Sequence, residues 1–316
     1  MVKIISIVIP IYNEKNNVFP LYQELISIWQ KLSDRYQLEI VYVNDGSSDG
    51  SAQELDRLSQ QDARVKSLEF SRNFGKEAAI SAGIRGAQGE AIIIMDGDLQ
   101  HPPAMIPQFI NKWEAGAEVV VGVRKKSAKI PLLRRLGSYF YYKISNAISD
   151  SKTIPYASDY RLIDRQVSRE FIRFTEKNRL ARGLIDWLGF KKEYVYFDSP
   201  ERKNDKPSYP LHKLIKLALI SFTSNSLMPL KLAGYLGIAC IIVFGFTGIY
   251  LIVDRYILHD PFGFNFTNLA IIVVFIGGLV GIILSCLGLI GIYIGNIQTE
   301  ISNRPLFVVR NKKNID

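Results

Sequence analysis

The sequence predicts an α/β domain with a mainly parallel sheet, followed by two transmembrane helices. In residues 1–125, short apolar runs alternate with helical patterns, which is typical of parallel strands covered by helices on both faces. Two later stretches, Leu232–Val253 and Pro261–Thr299, contain no charged residue. Residues 129–150 and 210–231 mix basic residues with aliphatic and aromatic ones, as amphipathic helices at a membrane interface do.

The predicted sheet comes from five apolar runs in the first 125 residues. The predicted strands are Ile5–Ile11, Glu39–Val43, Val65–Phe70, Ala91–Met95 and Val119–Val123. The helices between them are Val18–Leu32, Ser51–Gln60 and Lys76–Gly86. In parallel sheets, ligands bind outside the carboxyl ends of the strands. We therefore expect the polar residues that directly follow these strands to line one crevice.

The two uncharged stretches are long enough to cross a bilayer, whose hydrocarbon core requires about 20 helical residues. They predict transmembrane helices at about 232–254 and 268–295. A buried core hairpin is the alternative, and the length of the stretches disfavours it. Basic residues flank both outer ends, so the N-terminal domain and the C-terminus are expected in the cytoplasm, on the inner face of a cell membrane. The N-terminal apolar run is interpreted as a strand rather than a signal peptide, because Pro10 ends it early.

The net charge of +9 favours either nucleic acid or an anionic membrane as a partner. Many basic residues flank the apolar stretches, so the membrane is the expected partner and nucleic-acid binding is not expected. Both cysteines, Cys240 and Cys286, lie in the apolar stretches, where each is interpreted as an apolar filler. Their lack of paired spacing argues against a structural zinc site.

The strongest chemical pattern is Asp-Gly-Asp-Leu-Gln at residues 96–100, directly after a predicted strand. The carboxylates of Asp96 and Asp98 can face one small volume if the backbone turns at Gly97. Hard oxygen ligands favour Mg²⁺ or Mn²⁺, which complete their shell with phosphate oxygens, and such an ion neutralises a departing diphosphate. Asp-Gly turns are also common without a ligand, so both interpretations stay open. His101, beside this motif, is interpreted as structural.

A second polar loop, Asn44–Gly50, follows the second predicted strand. The Asp45 carboxylate can accept a hydrogen bond from a base or a ribose. The alternative is a helix cap, in which Ser48 or Asp49 starts the helix at Ser51. One loop can serve both purposes.

Five motifs occur in order along the chain. They are Ile7–Glu14, Val43–Asp49, Ser71–Lys76, Asp96–Pro103 and Ser158–Arg165. Together they resemble the family 2 glycosyltransferases with the GT-A fold. More narrowly, nearly the whole chain is similar to the polyisoprenyl-phosphate glycosyltransferases, which include dolichyl-phosphate mannose synthases and bacterial bactoprenol glucosyltransferases.

The resemblance implies roles for individual residues. Asp159 matches the acidic residue expected beside the acceptor, as an orienting group or a base, and with Asp98 it forms the expected catalytic pair. The implied metal ligands are Asp96, Asp98 and Gln100. The implied nucleotide-sugar-binding residues are Pro10, Tyr12, Glu14, Asp45, Lys76, Asp96 and Arg124.

The candidates for binding the lipid phosphate come from three places. The resemblance implies Arg124 and Arg202 for the donor diphosphate or the lipid phosphate. Arg134 and Arg135 lie in a basic segment, where each cation near an anionic leaflet contributes ~1 kcal/mol; a solvated basic face is the alternative. Many relatives carry Ser-Lys-Tyr where this chain has Pro207-Ser208-Tyr209. The role of the relatives' lysine is therefore in doubt for this chain, although Lys203 or Lys206 could substitute for it. The full set is Arg124, Arg134, Arg135, Arg202, Lys206 and Ser208.

The activity that the resemblance implies is inverting transfer of a hexose to a polyprenyl (undecaprenyl) phosphate, with Mg²⁺ or Mn²⁺. UDP-glucose is the expected donor, because the two-span organisation resembles the bactoprenol enzymes. Mannose, N-acetylhexosamine and aminopentose donors are alternatives. A processive polysaccharide synthase shares the acidic motifs, but its Gln-x-x-Arg-Trp motif is absent from the sequence. A non-catalytic membrane scaffold is disfavoured because the acidic motifs are intact.

The chain is expected to divide into four parts. These are a nucleotide-sugar-binding core at 1–128, an acceptor region at 129–231 with a mobile loop at about 200–209, transmembrane helices within 232–299, and a cytoplasmic tail at 300–316. Small residues share one face of the second apolar stretch, at Gly277, Gly281, Ser285 and Gly288. Such spacing lets helices approach closely and predicts a homo-oligomer, with a tetramer expected. Packing within one chain's helix pair is the alternative.

Overall fold

The computed structural model describes residues 2–125, 157–177, 179–198, 246, 253, 268–302 and 304–315. The chain divides into two compact units. The first is Met1–Lys206 with Arg304–Asp316, and the second is Pro207–Asn303. The predicted basic interfacial segments, the mobile loop and nearly all of the first predicted transmembrane helix lie outside the described residues.

The first unit contains an eight-stranded sheet with helices on both faces. Its strands are β1 (Lys3–Ile11), β2 (Tyr36–Asn44), β3 (Val65–Phe70), β4 (Ala91–Ile94), β5 (Val119–Arg124), β6 (Ala157–Asp164), β7 (Lys192–Phe197) and β8 (Val309–Lys313). Its helices are α1 (Lys15–Trp29), α2 (Ser51–Gln61), α3 (Lys76–Gly86), α4 (Ile106–Glu114), α5 (Arg165–Arg173) and α6 (Ala181–Trp187). A 3₁₀ turn, Pro103–Met105, precedes α4.

The strand order across the sheet is β7-β5-β6-β4-β1-β2-β3-β8. Strands β4, β1, β2 and β3 pair in parallel, as do β5 and β7. Strand β6 is antiparallel to β4 and β5, and β8 is antiparallel to β3. The predicted α/β class with a mainly parallel sheet is therefore confirmed.

Strand β1 illustrates why the apolar runs become central strands. Ile7 and Ile9 belong to one core cluster with Leu21 of α1, whereas Val8 belongs to the other with Ala82 of α3. A strand buried on both faces needs apolar residues at successive positions rather than at alternate ones. Each fully buried side chain of this size stabilises the fold by about 1.5–3 kcal/mol before entropy is counted.

The predicted elements agree closely with the observed ones in the first 125 residues. Strand β3 and helix α3 begin and end at the predicted residues. Helix α1 begins at Lys15 and ends at Trp29, three residues before the prediction at each end. Strands β6, β7 and β8 were not predicted. They extend the sheet into the predicted acceptor region and tail, whose boundaries stay predictions.

The second unit contains helix α7, Asn268–Ile301, which is 34 residues long and includes the predicted second transmembrane segment. The structure describes the surroundings of only part of its residues, and Gly277, Gly281, Ser285 and Gly288 are not among these. Over the described residues, no helix was found with the length and apolar character needed to cross a membrane. Membrane crossing stays a prediction, as does oligomer formation.

Candidate active site

Three loops that follow β1, β2 and β3 are joined by side-chain hydrogen bonds at the carboxyl edge of the sheet. The backbone N–H of Asn13 donates to Ser47 Oγ at 3.0 Å, and Ser48 N–H donates to Asn13 Oδ1 at 2.9 Å. Asn13 has a φ of 56°, a left-handed conformation that asparagine tolerates better than most residues. These bonds hold the β1–α1 and β2–α2 loops together.

Asp45 fixes the loop that follows β3. Its Oδ1 accepts the backbone N–H of Phe74 at 2.7 Å, and its Oδ2 accepts that of Gly75 at 2.9 Å. The side chain is buried, and burial raises the pKa of this carboxyl, opposed by the two N–H donors. Asp45 therefore anchors the segment Phe74–Gly75, which leads directly into Lys76.

Gly46 allows the same two loops to approach each other. Its φ is +67°, and a Cβ built there would lie 2.5 Å from the Arg72 carbonyl carbon and 2.7 Å from the Asn73 nitrogen. Neither contact is possible for a larger residue without moving backbone. The glycine is needed for both its conformation and its size.

Asp49 binds backbone donors at two helix N-termini, although the N-cap of α2 is Gly50 rather than the predicted Ser48 or Asp49. Its Oδ1 accepts the N–H of Ser51, the first residue of α2, at 3.0 Å. Its Oδ2 accepts the N–H of Lys15, the first residue of α1, at 3.0 Å. One carboxylate therefore satisfies backbone donors at two helix N-termini.

The side chain of Lys76 joins two carboxylates that come from different strands. Lys76 Nζ lies 2.5 Å from Asp96 Oδ1, after β4, and 2.8 Å from Asp159 Oδ2, on β6. Arg182 Nη1, on α6, lies 3.9 Å from Asp159 Oδ1. The antiparallel strand β6, placed beside β4, is what brings Asp159 to the Asp96 motif.

The charged groups around Lys76 and Asp159 shift the pKa values of both side chains. Burial alone would raise the pKa of Asp159, but Lys76, Arg182 and Arg161 lower it to about 2. Burial disfavours the charged amine of Lys76, yet Asp159 and Asp96 raise its pKa above the ordinary value. Lys76 and Asp159 are therefore both expected to be charged near neutral pH.

Asp98 and Gln100 lie on the turn that follows Asp96. Asp98 Oδ1 accepts the N–H of Gln100 at 3.1 Å, and Gln100 Oε1 accepts a hydrogen bond from Arg124 Nη2 at 3.3 Å. Leu99 has a φ of 63°, which turns the backbone between the two residues. A Cβ at Gly97 would lie 2.4 Å from Ile11 Cδ1, so the turn packs directly against β1.

His101 is part of the core beneath this turn, in agreement with its structural interpretation. Its Nδ1 accepts the N–H of Asp96 at 2.9 Å, and its ring stacks on Tyr160 with centroids 4.9 Å apart. Burial lowers the pKa of His101 to about 4. The neutral imidazole therefore orients the first residue of the acidic motif.

Comparison with known proteins connects this geometry to a family. The model for glycosyl transferase family 2 matches residues 6–172, a range that contains all the loops described above. The chain belongs to glycosyl transferase family 2. It is 38% identical to the uncharacterized glycosyltransferase YkcC of Bacillus subtilis (strain 168) over 98% of this chain and 94% of that protein.

Two further relatives of this family 2 chain extend the comparison. It is 34% identical to the bactoprenol glucosyl transferase of Shigella phage SfV, over 98% of this chain and 99% of that protein. The crystal structure of mannosyl-3-phosphoglycerate synthase from Rubrobacter xylanophilus shares 14% identity, with a TM-score of 0.50 over 69% of this chain and 71% of that one. The latter likeness concerns the fold alone, a GT-A-like α/β domain.

The donor set of the family 2 site fits a divalent ion with an incomplete protein shell. Asp96, Asp98 and Gln100 offer two carboxylates and an amide oxygen on one turn, and Mg²⁺ commonly takes one or two carboxylates and completes its shell with water and phosphate. Among the described residues, no group of three or more His, Cys, Asp or Glu could hold a metal ion by itself.

The remaining candidates have different surroundings. Tyr12 is 50% exposed at the end of β1, and Glu14 Oε2 accepts a hydrogen bond from Asn17 Nδ2 at 2.5 Å. Pro10 is partly buried within β1, paired with Val43. The predicted lipid-phosphate residues Arg134, Arg135, Arg202, Lys206 and Ser208 lie outside the described residues.

Sequence reasoning missed the basic support of Asp159. Arg161 is 2% exposed and its Nη1 reaches Asp186 Oδ1 and the backbone oxygen of Arg182 at 3.3 and 3.2 Å. Glu77 Oε2 accepts the N–H of Ala181 at 2.7 Å, which attaches α6 to α3. Arg161 lies inside a recognised motif and was available to be found, whereas no spacing in the sequence connects Arg182 to Asp159.

Proposed function

We propose that this family 2 glycosyltransferase moves a sugar from a nucleotide sugar to a polyprenyl phosphate. The observation that carries the proposal is the bridge from Asp96 to Asp159 through Lys76. It joins the acidic motif expected at the donor to the carboxylate expected at the acceptor. The 34% identity to a bactoprenol glucosyl transferase over 98% of this chain supports the choice of lipid acceptor.

The proposed reaction is a displacement at the anomeric carbon. An oxygen of the acceptor phosphate forms the new bond to that carbon, and the bond to the nucleoside diphosphate breaks with its electron pair leaving on the diphosphate. Attack from the face opposite the leaving group inverts the configuration. The phosphate nucleophile is already ionised near neutral pH, so the harder task is to hold two anionic substrates together.

Asp159 is proposed to orient the acceptor side of the site rather than to remove a proton. A carboxylate with a pKa near 2 is a weak base at neutral pH. Its negative charge also fixes Lys76 and attracts Arg182, which lies 3.9 Å away. These two cations are suited to hold phosphate oxygens close to the sugar.

Asp96, Asp98 and Gln100 are the residues that would hold Mg²⁺ or Mn²⁺. The ion would neutralise charge on the departing diphosphate. Arg124, bonded to Gln100 Oε1, adds a fixed cation beside the same turn. Asp45, through Phe74 and Gly75, keeps the neighbouring loop in the conformation from which Lys76 reaches the site.

The finer assignments extend this proposal. UDP-glucose is the proposed donor and undecaprenyl phosphate the proposed acceptor, with a β-linked lipid phosphate sugar as product. The chain is proposed to be a multi-pass protein of the cell membrane with its catalytic domain and C-terminus in the cytoplasm, since residues 261–299 carry no charge. A homo-oligomer packed through this segment, with a tetramer expected, completes the proposal.

The test uses purified full-length protein in detergent, with labelled UDP-glucose, undecaprenyl phosphate and Mn²⁺. We expect label to enter the organic phase, and proton NMR of the product to report a β linkage. Asp159→Asn should reduce turnover by at least about 100-fold while UDP affinity changes little, and Asp34→Asn, at an exposed position, should behave as wild type.

Other outcomes assign the protein differently. Labelled polymer in place of labelled lipid would indicate a processive synthase, and no labelled product from a panel of nucleotide sugars would indicate a non-catalytic protein. Label from GDP-mannose or UDP-N-acetylglucosamine but not from UDP-glucose would change the donor and keep the reaction. An α-linked product would contradict inversion.

A further inference from the structure

Lys76 is the first residue of α3, and it serves two carboxylates at once. Its amine lies 2.5 Å from Asp96 and 2.8 Å from Asp159, although 40% of the side chain is exposed to solvent. Among the described residues, Asp96 has no second ion pair as short as the one with Lys76. The nearest other group is His101 Nδ1, which lies 3.8 Å from Asp96 Oδ2 and is neutral.

The Lys76 ammonium group is the main positive charge that offsets the carboxylates in this part of the site. Asp96, Asp98 and Asp159 are acidic, and Glu77 follows Lys76 on α3, where burial raises the pKa of its carboxyl. The described cations near them include Lys76 itself, Arg182 at 3.9 Å from Asp159, Arg161, which acts on Asp159, and Arg124, which is hydrogen-bonded to Gln100. Without the amine, Asp96 would have no described lysine or arginine within ion-pair distance.

A divalent ion and the Lys76 ammonium group compete for the same carboxylate oxygen of Asp96. Both are positive, and the amine already lies at direct hydrogen-bond distance from Oδ1. A bound ion would repel the ammonium group, whereas Asp159 Oδ2 offers it a second partner that is not among the predicted ligands. When the Lys76 amine moves away from Asp96, it can stay paired with Asp159.

We propose that Lys76 is a resident counter-ion that a divalent cation displaces from Asp96 and that Asp159 then retains. The inference rests on the proposed function in assigning a divalent ion to Asp96 and Asp98. It makes Lys76 a positioning residue with two states, one that bridges the donor and acceptor carboxylates and one held by Asp159 alone. Arrival of the metal-bound donor would then release the bridge between the two halves of the site.

The test measures binding of Mn²⁺ alone to full-length protein, without nucleotide or lipid, by the electron paramagnetic resonance of free Mn²⁺. Lys76→Met removes the competing charge, so we expect it to bind Mn²⁺ about fivefold more tightly or better, the effect of one modest ion pair. Lys76→Arg retains the charge and should bind as wild type. Lys66→Met removes a different amine, which lies 2.6 Å from Glu39, and should leave Mn²⁺ affinity unchanged.

A second variant tests the same exchange in the opposite direction. Asp159→Asn deprives Lys76 of its alternative partner, so the amine should hold Asp96 more firmly and Mn²⁺ should bind more weakly than in wild type. Circular dichroism checks whether each variant is folded. If Lys76→Met is not folded, the Asp159→Asn measurement alone tests the proposal.

Unchanged or weaker Mn²⁺ binding in Lys76→Met, or unchanged or tighter binding in Asp159→Asn, would overturn the proposal. So would failure of both wild type and Lys76→Met to bind Mn²⁺. Because no sugar or lipid is present, these outcomes are distinct from failure of the proposed transferase activity, which is scored by labelled lipid.

Discussion

Arg310, in the last strand, donates a hydrogen bond from Nη2 to the backbone oxygen of Ser71 at 2.8 Å. The N–H of Ser71 in turn donates to the oxygen of Val308 at 2.9 Å, and Phe307 stacks on Phe70 with ring centroids 5.0 Å apart. Residues near the C-terminus thus hold the start of the loop that Asp45 anchors at its other end. The predicted tail is part of the sheet that carries the site.

Arg310→Ala should therefore weaken donor binding more than it slows turnover. The variant loses the bond to Ser71 and the ion pair with Glu69 at 3.6 Å. Since Arg310 is exposed, we expect an effect of about 1 kcal/mol, or roughly a fivefold higher KM for the nucleotide sugar. Lys312→Ala, on the same strand without a described ion pair, is the control. Equal KM values in the two variants would show that β8 does not act on the donor loop.

Gly46→Ala should be more damaging than a change at another glycine with positive φ. Gly116 has a φ of +94°, and the nearest atom to a Cβ built there is Lys191 Nζ at 3.9 Å. Gly116→Ala thus isolates the conformational cost, about 1–2 kcal/mol. Gly46→Ala adds the backbone clash with Arg72, so it should lower the unfolding temperature further and reduce UDP affinity. Similar unfolding temperatures would argue against the close approach of the two loops.

Asp98→Ala should abolish the effect of Mn²⁺ on donor binding. Asp96 and Gln100 alone leave one carboxylate and one amide oxygen, so the variant loses half of the negative charge that this turn offers the ion. Calorimetry with UDP should give equal affinities with Mn²⁺ and with a chelator in this variant, and different affinities in wild type. A Mn²⁺ effect of wild-type size in Asp98→Ala would show that the metal assignment is wrong.

The central strands were predictable because burial on both faces requires apolar runs that the sequence displays directly. Strand β6 was missed because its sequence, Ala157–Asp164, contains two aspartates and an arginine. Arg161 is buried there by its bonds to α6, which sequence spacing does not reveal. Strand β8, Val309–Lys313, is short and charged, as edge strands often are. It was missed because such a sequence resembles an ordinary charged tail.

The candidate site was predictable as a set of residues at one edge of the sheet, but not in its side-chain pairings. Asp96 and Asp159 were both identified from motifs, yet the amine between them depends on β6 lying beside β4, a contact between residues far apart in sequence. Lys76 was assigned to the nucleotide, and its pairing with two carboxylates is a finding of the structure. Asp45 was expected to meet a base or ribose, which stays a prediction, and its two backbone donors from a neighbouring loop are a finding of the structure.

His101 should make the stability of the protein depend on pH in mildly acidic solution. Its pKa is lowered from 6.5 to about 4 by burial, so between these values the unfolded chain binds a proton that the folded chain does not. The free energy of unfolding therefore falls as the pH is lowered through this window, and stays reduced below it. The loss attributable to this residue is about 3 kcal/mol at most.

His101→Asn provides the matched measurement, because an asparagine side chain can accept a hydrogen bond from Asp96 N–H but does not titrate. Loss of the stack on Tyr160 should destabilise the variant at every pH, but the difference between pH 6.5 and pH 4.5 should be smaller than in wild type. Denaturant unfolding of both proteins in chelator, followed by tryptophan fluorescence, gives this comparison. The stability that Asp159 contributes is lost between its ordinary pKa of 3.8 and about 2, below the two pH values compared. Parallel pH dependences in the two proteins would mean that His101 is not held neutral by its burial.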